Sequence, residues 1–174
     1  MEILFYPYLW LILALSFNVG HLIFHVAFYF DYNGKNSAIY DGIVGYLGAL
    51  FVFILVFIDH GTVQFPGTIA VVIGSILFMS GIMIYVKAQL DFKKYIKQLP
   101  LIDRGIYHYI RHPMYFGASI FFIGVCMVSR SYLGLFTFWF WVLLLAVCGH
   151  LEGVKLKRDL PSGQYRDYMK RTWF

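Results

Sequence analysis

The segment Gly105 to Gly117, GIYHYIRHPMYFG, gathers two histidines, an arginine, three tyrosines and a proline in an otherwise apolar chain. Pro113 disfavours helical geometry at His112 and is suited to be the first residue of a helix. The free N–H groups of that helix's first turn, its dipole and the adjacent Arg111 and His112 then make a site for a carboxylate or phosphate. Upstream, Asp103 is placed to cap a short amphipathic helix on which His108, Arg111 and His112 fall one turn apart. Tyr107 and Tyr115 add aromatic faces suited to a sulfonium cation or to a planar ring such as adenine. Tyr109 reads as an ordinary interfacial anchor.

Glu152 is the only glutamate besides Glu2. Its options are a pair with Arg111, contacts to ribose hydroxyls or an α-amino group, and a helix-end salt bridge with Lys155 or Lys157. Pro161-Ser162-Gly163 breaks the tail beyond it, after which Tyr165, Tyr168 and Thr172 fall on one face of a short basic helix, placed as a lid over the site.

No dinucleotide glycine fingerprint, phosphate-binding loop, nucleophile elbow or H-E-x-x-H helix is present, so soluble-type nucleotide and hydrolase sites are excluded. His21 and His25 stand one turn apart with no carboxylate or thiol beside them in the sequence, so they read as interhelical hydrogen-bonding histidines, and no metal site is expected. Asp59 and His60 read as a solvated interfacial pair. Cys126 and Cys148 lie within apolar segments, where a thiol behaves as a small hydrophobe.

The elements that must position these residues are membrane helices. Of the 174 residues, 60% are hydrophobic and 13% charged, and the mean hydropathy is +0.70, outside the range of soluble domains. Uncharged runs cover Ile3 to Phe30, Gly42 to Ile58, Thr62 to Val86, Pro113 to Ser129 and Ser131 to Leu151, against the roughly 20 apolar residues that span a bilayer. Five spans are expected, the fourth and fifth as a hairpin about Arg130-Ser131-Tyr132. Glu2 and the long first run argue for an anchor and against a cleaved signal peptide. Gly67, Ala70, Gly74 and Gly81 in span three, and Gly42, Gly45 and Gly48 in span two, are small residues that admit a neighbouring helix. The expected fold is an all-α membrane bundle forming one domain over residues 1–174.

Twelve of the fourteen lysines and arginines fall either in the segment Lys87 to Arg111 or after span five. The positive-inside bias makes both segments cytoplasmic and puts the N-terminus outside. Lys93, Lys94 and Lys97 read as contacts to anionic headgroups. The partners expected are membrane lipids and a lipid-like substrate, not nucleic acid.

The motif, with Glu152 and GQYRDYMKR after it, resembles the isoprenylcysteine carboxyl methyltransferase and phospholipid methyltransferase families of integral membrane enzymes. The pattern G-x-Y-x-x-x-R-H-P-x-Y-x-G is matched completely at Gly105, Tyr107, Arg111, His112, Pro113, Tyr115 and Gly117. The resemblance covers roughly Leu99 to Trp173. It implies S-adenosylmethionine held at the cytosolic end of the last spans by Tyr107, His112, Pro113, Tyr115, Gly117 and Glu152. It also implies a lipid-like acceptor reaching the site sideways between helices. Separately, residues 1–86 are expected to shape the acceptor cavity and residues 87–174 to hold the donor. Arg111, His150 and Glu152 are the expected catalytic residues, and catalysis is chiefly orientation of a nucleophile against the sulfonium methyl.

Two departures stand out. Many family members have paired glutamates near the end of the last span with an arginine shortly before, whereas here Gly153 follows Glu152 and His150 occupies the preceding region. That favours His150 as a base for an amine or thiol acceptor over carboxyl methylation. The tail also reads Pro161-Ser162-Gly163-Gln164-Tyr165 where a phenylalanine-glycine pair is usual. An NADPH-dependent membrane sterol reductase shares an R-H-P-x-Y element and is the alternative enzyme, though Ala118 stands where the steroid-type branch often has an acid. A non-catalytic membrane scaffold is the alternative outside enzymes.

Overall fold

The computed structural model describes residues 6–29, 34–64, 66–95, 101–161 and 163–173. Ile3, Phe30, Lys97 and Ser162 lie outside them. Among the described residues six α-helices run in order, α1 (Pro7–Tyr29), α2 (Gly34–Ile58), α3 (Gly67–Tyr95), α4 (Pro113–Ser129), α5 (Tyr132–Asp159) and α6 (Gln164–Arg171), with a 3₁₀ turn at Gly105–His108. No strand occurs among the described residues; one isolated parallel bridge joins Ile110 to Trp173. The architecture is the expected all-α membrane bundle. Helices α1, α3 and α5 are long and apolar enough to cross a membrane, while the apolar part of α2, Ile43–Ile58, and α4 are shorter. Large apolar side chains such as Ile12, Phe57, Ile76, Met83 and Leu143 are exposed along the helices, as a lipid-facing surface requires.

The helices associate mainly in two antiparallel pairs, α1 with α2 and α3 with α4, with α5 packed against both. Small residues set the closest approach. A Cβ on Gly81 would run into the backbone of Phe121 and lie 2.8 Å from the Gly117 carbonyl. One on Gly124 would lie 2.7 Å from the Gly74 carbonyl. Gly74 and Gly81 of span three therefore have a specific partner: they interleave with Gly117 and Gly124 of α4, so that backbone meets backbone. On the other pair, Gly45 and Gly48 face His21 and Asn18 of α1. The core between the pairs is Ala14, Val52, Val56, Phe122, Val125, Cys126 and Phe138.

Opposite the motif, Asp59 is buried, not solvated as the sequence suggested. Its Oδ2 accepts hydrogen bonds from Ser131 Oγ and from the Leu133 N–H, both at 2.7 Å, and from Thr62 Oγ1 at 3.2 Å. Ser131 in turn accepts from the Gly134 N–H as the N-cap of α5. One carboxylate thus caps α5 and ties the α2–α3 connection to the α4–α5 turn, and the three hydrogen bonds to its Oδ2 offset the cost of burying it. His60 is exposed and bonds the Phe57 carbonyl at 2.9 Å. Asp59→Ala removes a cap and leaves the Ser131 and Leu133 donors without their carboxylate. The expected loss is about 1–3 kcal/mol, read as a lower unfolding temperature in detergent with the helical circular dichroism of the folded protein retained.

Candidate functional site

Three elements build the site: the motif segment, the C-terminal half of α5 and the tail helix α6. The motif is anchored at its start by Asp91 of α3. The Ile106 N–H donates to Asp91 Oδ2 at 2.8 Å and Lys87 Nζ pairs with Oδ1 at 2.6 Å. Gly105 has φ +61°, and a Cβ there would run into the same carboxylate. Two separate demands therefore require glycine, a left-handed backbone and contact with Asp91.

The helix expected after Asp103 is instead a single 3₁₀ turn followed by an irregular stretch, and Asp103 caps nothing; it pairs with Arg171 at 2.8 Å. The cause lies in the two ends. Gly105 starts the turn in the left-handed region, and Pro113 forces His112 out of helical geometry, to φ −121° and ψ 64°. His108 is consequently exposed, edge-on to Tyr109, and does not converge with Arg111 and His112. Helix α4 begins at Pro113, with His112 as its N-cap.

His112 meets α5. Its Nδ1 lies 2.9 Å from Glu152 Oε2, and since a carboxylate only accepts, this nitrogen is the donor. The imidazole stacks on Tyr115 with centroids 5.6 Å apart and planes 17° from parallel. Gly149 makes room for the ring, because a Cβ there would stand 3.2 Å from His112 Cδ2. One turn further along, a Cβ on Gly153 would stand 2.8 Å from the Tyr165 hydroxyl. The glycine that follows Glu152 thus has a steric reason: it seats a tail tyrosine.

The tail closes over the motif. Tyr168 donates to the Tyr107 carbonyl at 2.9 Å, the Arg111 N–H donates to the Trp173 carbonyl at 2.8 Å, and the Trp173 N–H donates to the Tyr109 carbonyl at 2.8 Å. The Arg111 side chain hydrogen-bonds Tyr165. Tyr165, Tyr168 and Thr172 are all buried, so the face read from their spacing packs on the motif. Beneath this lid, the Tyr107 hydroxyl and Arg111 Nε are buried without a hydrogen-bond partner among the described residues, a costly state that a bound polar ligand relieves.

Burial, followed by the Glu152 carboxylate, pushes the Tyr107 hydroxyl well above the ordinary tyrosine range. Burial does the same for Tyr168, with Tyr165 adding to it. Raised values in the folded state mean that the associated stability is complete below the ordinary value of 10.0 and is lost as pH climbs above it. In an alkaline absorbance titration, Tyr107 and Tyr168 are expected to ionise after the exposed tyrosines, together with loosening of the tail. Tyr107→Phe is expected to remove part of the late phase and leave the early one unchanged.

Of the remaining expected site residues, Pro113 is fully buried at the helix start. Gly117 packs α4 on α3, where its Cβ would lie 2.7 Å from the Tyr85 N–H nitrogen, so its role in the structure is helix contact. His150 is exposed, and an offset of two residues turns it about 200° around α5 from Glu152. The structure does not bring it to His112 and Glu152.

An apolar cavity of about 480 Å³ adjoins the pair, lined among others by Asn18, His21, Tyr46, Tyr85, Met114 and Tyr115. All of α1 to α5 contribute to it. Tyr115 belongs to both places, stacked on His112 and facing the cavity. Asp91, Gly149 and the partner of His21 and His25 were missed by sequence reasoning. Cys148 of α5 supplies the thiol those histidines lacked: one ligand atom from each of the three lies within 4.8 Å of the others. For Asp91, the i,i+4 spacing from Lys87 was the available signal.

The phospholipid methyltransferase family profile matches residues 63–158, more than half of the chain. The chain belongs to the phospholipid methyltransferase family. It is accordingly a membrane methyltransferase of the phospholipid type. The match runs from the α2–α3 connection to the end of α5 and takes in the motif, His112 and Glu152. No curated protein and no solved structure matches the chain.

Proposed function

We propose that the protein transfers a methyl group from S-adenosylmethionine to a lipid-like or amphiphilic acceptor, in the manner of isoprenylcysteine carboxyl and phospholipid methyltransferases. The observation that carries this reading is the shared wall at Tyr115, which joins the polar His112–Glu152 pair to the apolar cavity. A reaction between a water-soluble donor and a membrane-dissolved acceptor needs such a junction of unlike solvents.

The residues fit the donor. Glu152 suits its α-amino group or ribose hydroxyls, the first-turn N–H groups of α4 suit its carboxylate, and the Tyr115 face suits its sulfonium. The buried Tyr107 hydroxyl and Arg111 Nε have no hydrogen-bond partner among the described residues and can serve a bound polar ligand. When bound, S-adenosylmethionine supplies an electrophilic methyl group. The chain's own residues then bind and orient: His112 fixes the Glu152 carboxylate, Tyr115 keeps the acceptor side dry, and the Tyr165–Trp173 tail excludes water from above. The donor side is built from residues 87–174 and faces the cytosol, with the N-terminus outside.

The test is calorimetry on the detergent-purified protein with S-adenosylmethionine and, separately, NADPH, followed by transfer of a labelled methyl group into lipid extracts. One equivalent of S-adenosylmethionine bound, no NADPH bound and label in the organic phase is the expected result. NADPH binding in its place overturns the reading in favour of a reductase, and binding of neither in favour of a scaffold.

A further inference from the structure

We infer that His21, His25 and Cys148 form a binding site for a thiophilic d¹⁰ cation, zinc(II) or copper(I), at the wall of the apolar cavity.

The helical spacing of His21 and His25 puts both imidazoles on one face of α1, with ring centroids 5.6 Å apart. Helix α5 brings Cys148 to that face, and one donor atom from each residue lies within 4.8 Å of the other two. His25 and Cys148 are buried. Gly45 of α2 fixes the third member, since a Cβ there would stand 2.8 Å from His21 Nδ1. The donors therefore come from two helices, with a third shaped to admit one of them.

Two imidazoles and a thiol are the donor set that borderline and soft cations prefer over magnesium or calcium, which take oxygen. Zinc–nitrogen distances of about 2.0–2.1 Å and zinc–sulfur distances of about 2.3 Å separate tetrahedral donors by roughly 3.3–3.6 Å. Rotamer shifts of about 1 Å close the present spacing to that value. Ionisable groups within membrane spans are costly and occur where they serve a site.

Three protein donors leave one position of a tetrahedron open. His21 also lines the cavity, so the open position adjoins the cavity. Cys148 lies one turn of α5 before Glu152, about 6 Å along the axis. The site stands on the side chains alone and does not depend on the methyl-transfer reading; its readout is metal binding and not turnover.

The experiment is titration of the metal-depleted, detergent-purified full chain with cobalt(II), a coloured stand-in for zinc(II), with copper(I) offered in a parallel chelator competition. One equivalent of cobalt(II) giving a thiolate charge-transfer band that zinc(II) abolishes identifies zinc. Retention of one equivalent of copper(I) without a cobalt band identifies copper. In either case Cys148→Ala is expected to abolish binding and Cys126→Ala to leave it unchanged. His25→Gln and His21→Gln are each expected to weaken binding by more than about 100-fold, beyond the 10- to 100-fold typical of losing an outer-shell partner. Should Cys148→Ala fail to fold, the half-buried His21→Gln decides. Failure of the wild type to bind either ion, a signal that survives in folded Cys148→Ala, or an affinity in His21→Gln within twofold of the wild type overturns the site.

Discussion

Glu152→Gln is expected to weaken S-adenosylmethionine binding by about 10- to 40-fold, measured by calorimetry on folded protein. The amide keeps the shape and removes the charge. It turns a charge-assisted hydrogen bond with His112 at 2.9 Å into a neutral one, and it withdraws the anionic partner proposed for the donor's amino group. Hydrogen bonds to charged groups contribute about 1.5–3 kcal/mol, and each 1.4 kcal/mol is about a factor of ten in affinity. The Glu152 side chain is 31% exposed, so water compensates for part of the loss and the lower half of that energy range applies. Because His112 holds the carboxylate in place, His112→Gln combined with Glu152→Gln is expected to cost less than the sum of the two single changes. Donor affinity within twofold of the wild type in Glu152→Gln removes this residue from the donor site.

Gly81→Leu is expected to have the largest effect on stability. The obstacles to a side chain there are the backbone of Phe121 and the carbonyl of Gly117, which no rotamer change can move. Helices α3 and α4 would have to separate, and with them the platform that carries the motif at one end of α4 and Asp91 on α3. In lipid, close packing through small residues is a principal source of helix association, and overpacking against backbone is expected to cost more than about 3 kcal/mol. The measurement is the recovery of monodisperse protein and its unfolding temperature, with Gly67→Ala as control. At Gly67 the nearest obstacle is the flexible Arg130 side chain at 3.7 Å, and a change within about 0.5 kcal/mol is expected. Equal losses from the two substitutions would refute the backbone-contact account.

What the sequence made legible were features governed by local rules. Apolar length gave the helices, and Pro113 gave the start of α4 and the non-helical His112, since its effect reaches one residue back. The periodic spacing of Tyr165, Tyr168 and Thr172 gave the buried face of α6. Pairings between distant segments were less accessible. Glu152 had Arg111, Lys155 and Lys157 as equally reasonable partners until the fold set His112 against Gly149. Cys148 looked like a small hydrophobe because its relation to His21 and His25 depends on the rotation of α5 about its own axis. Gly117 stands in the motif, and its close approach to Tyr85 and Gly81 adds a helix-packing demand for glycine that the motif alone does not reveal. Asp59 was underestimated because a lone acid near a membrane boundary gives no hint that several donors converge on it.

The clamp of the tail on the motif also has a temporal consequence. Tyr168 and the carbonyl it holds at Tyr107 are 61 residues apart in the chain, so at a synthesis rate of about 5–20 residues per second the motif waits roughly 3–12 s for its cover. During that interval α4 and α5 enter the bilayer while the Arg111 and Tyr107 groups still face water. Assembly therefore proceeds with the polar end open until the tail docks, and a nascent chain stalled before α6 would have its helices in place without the cover that Tyr168 and Trp173 lay over the motif.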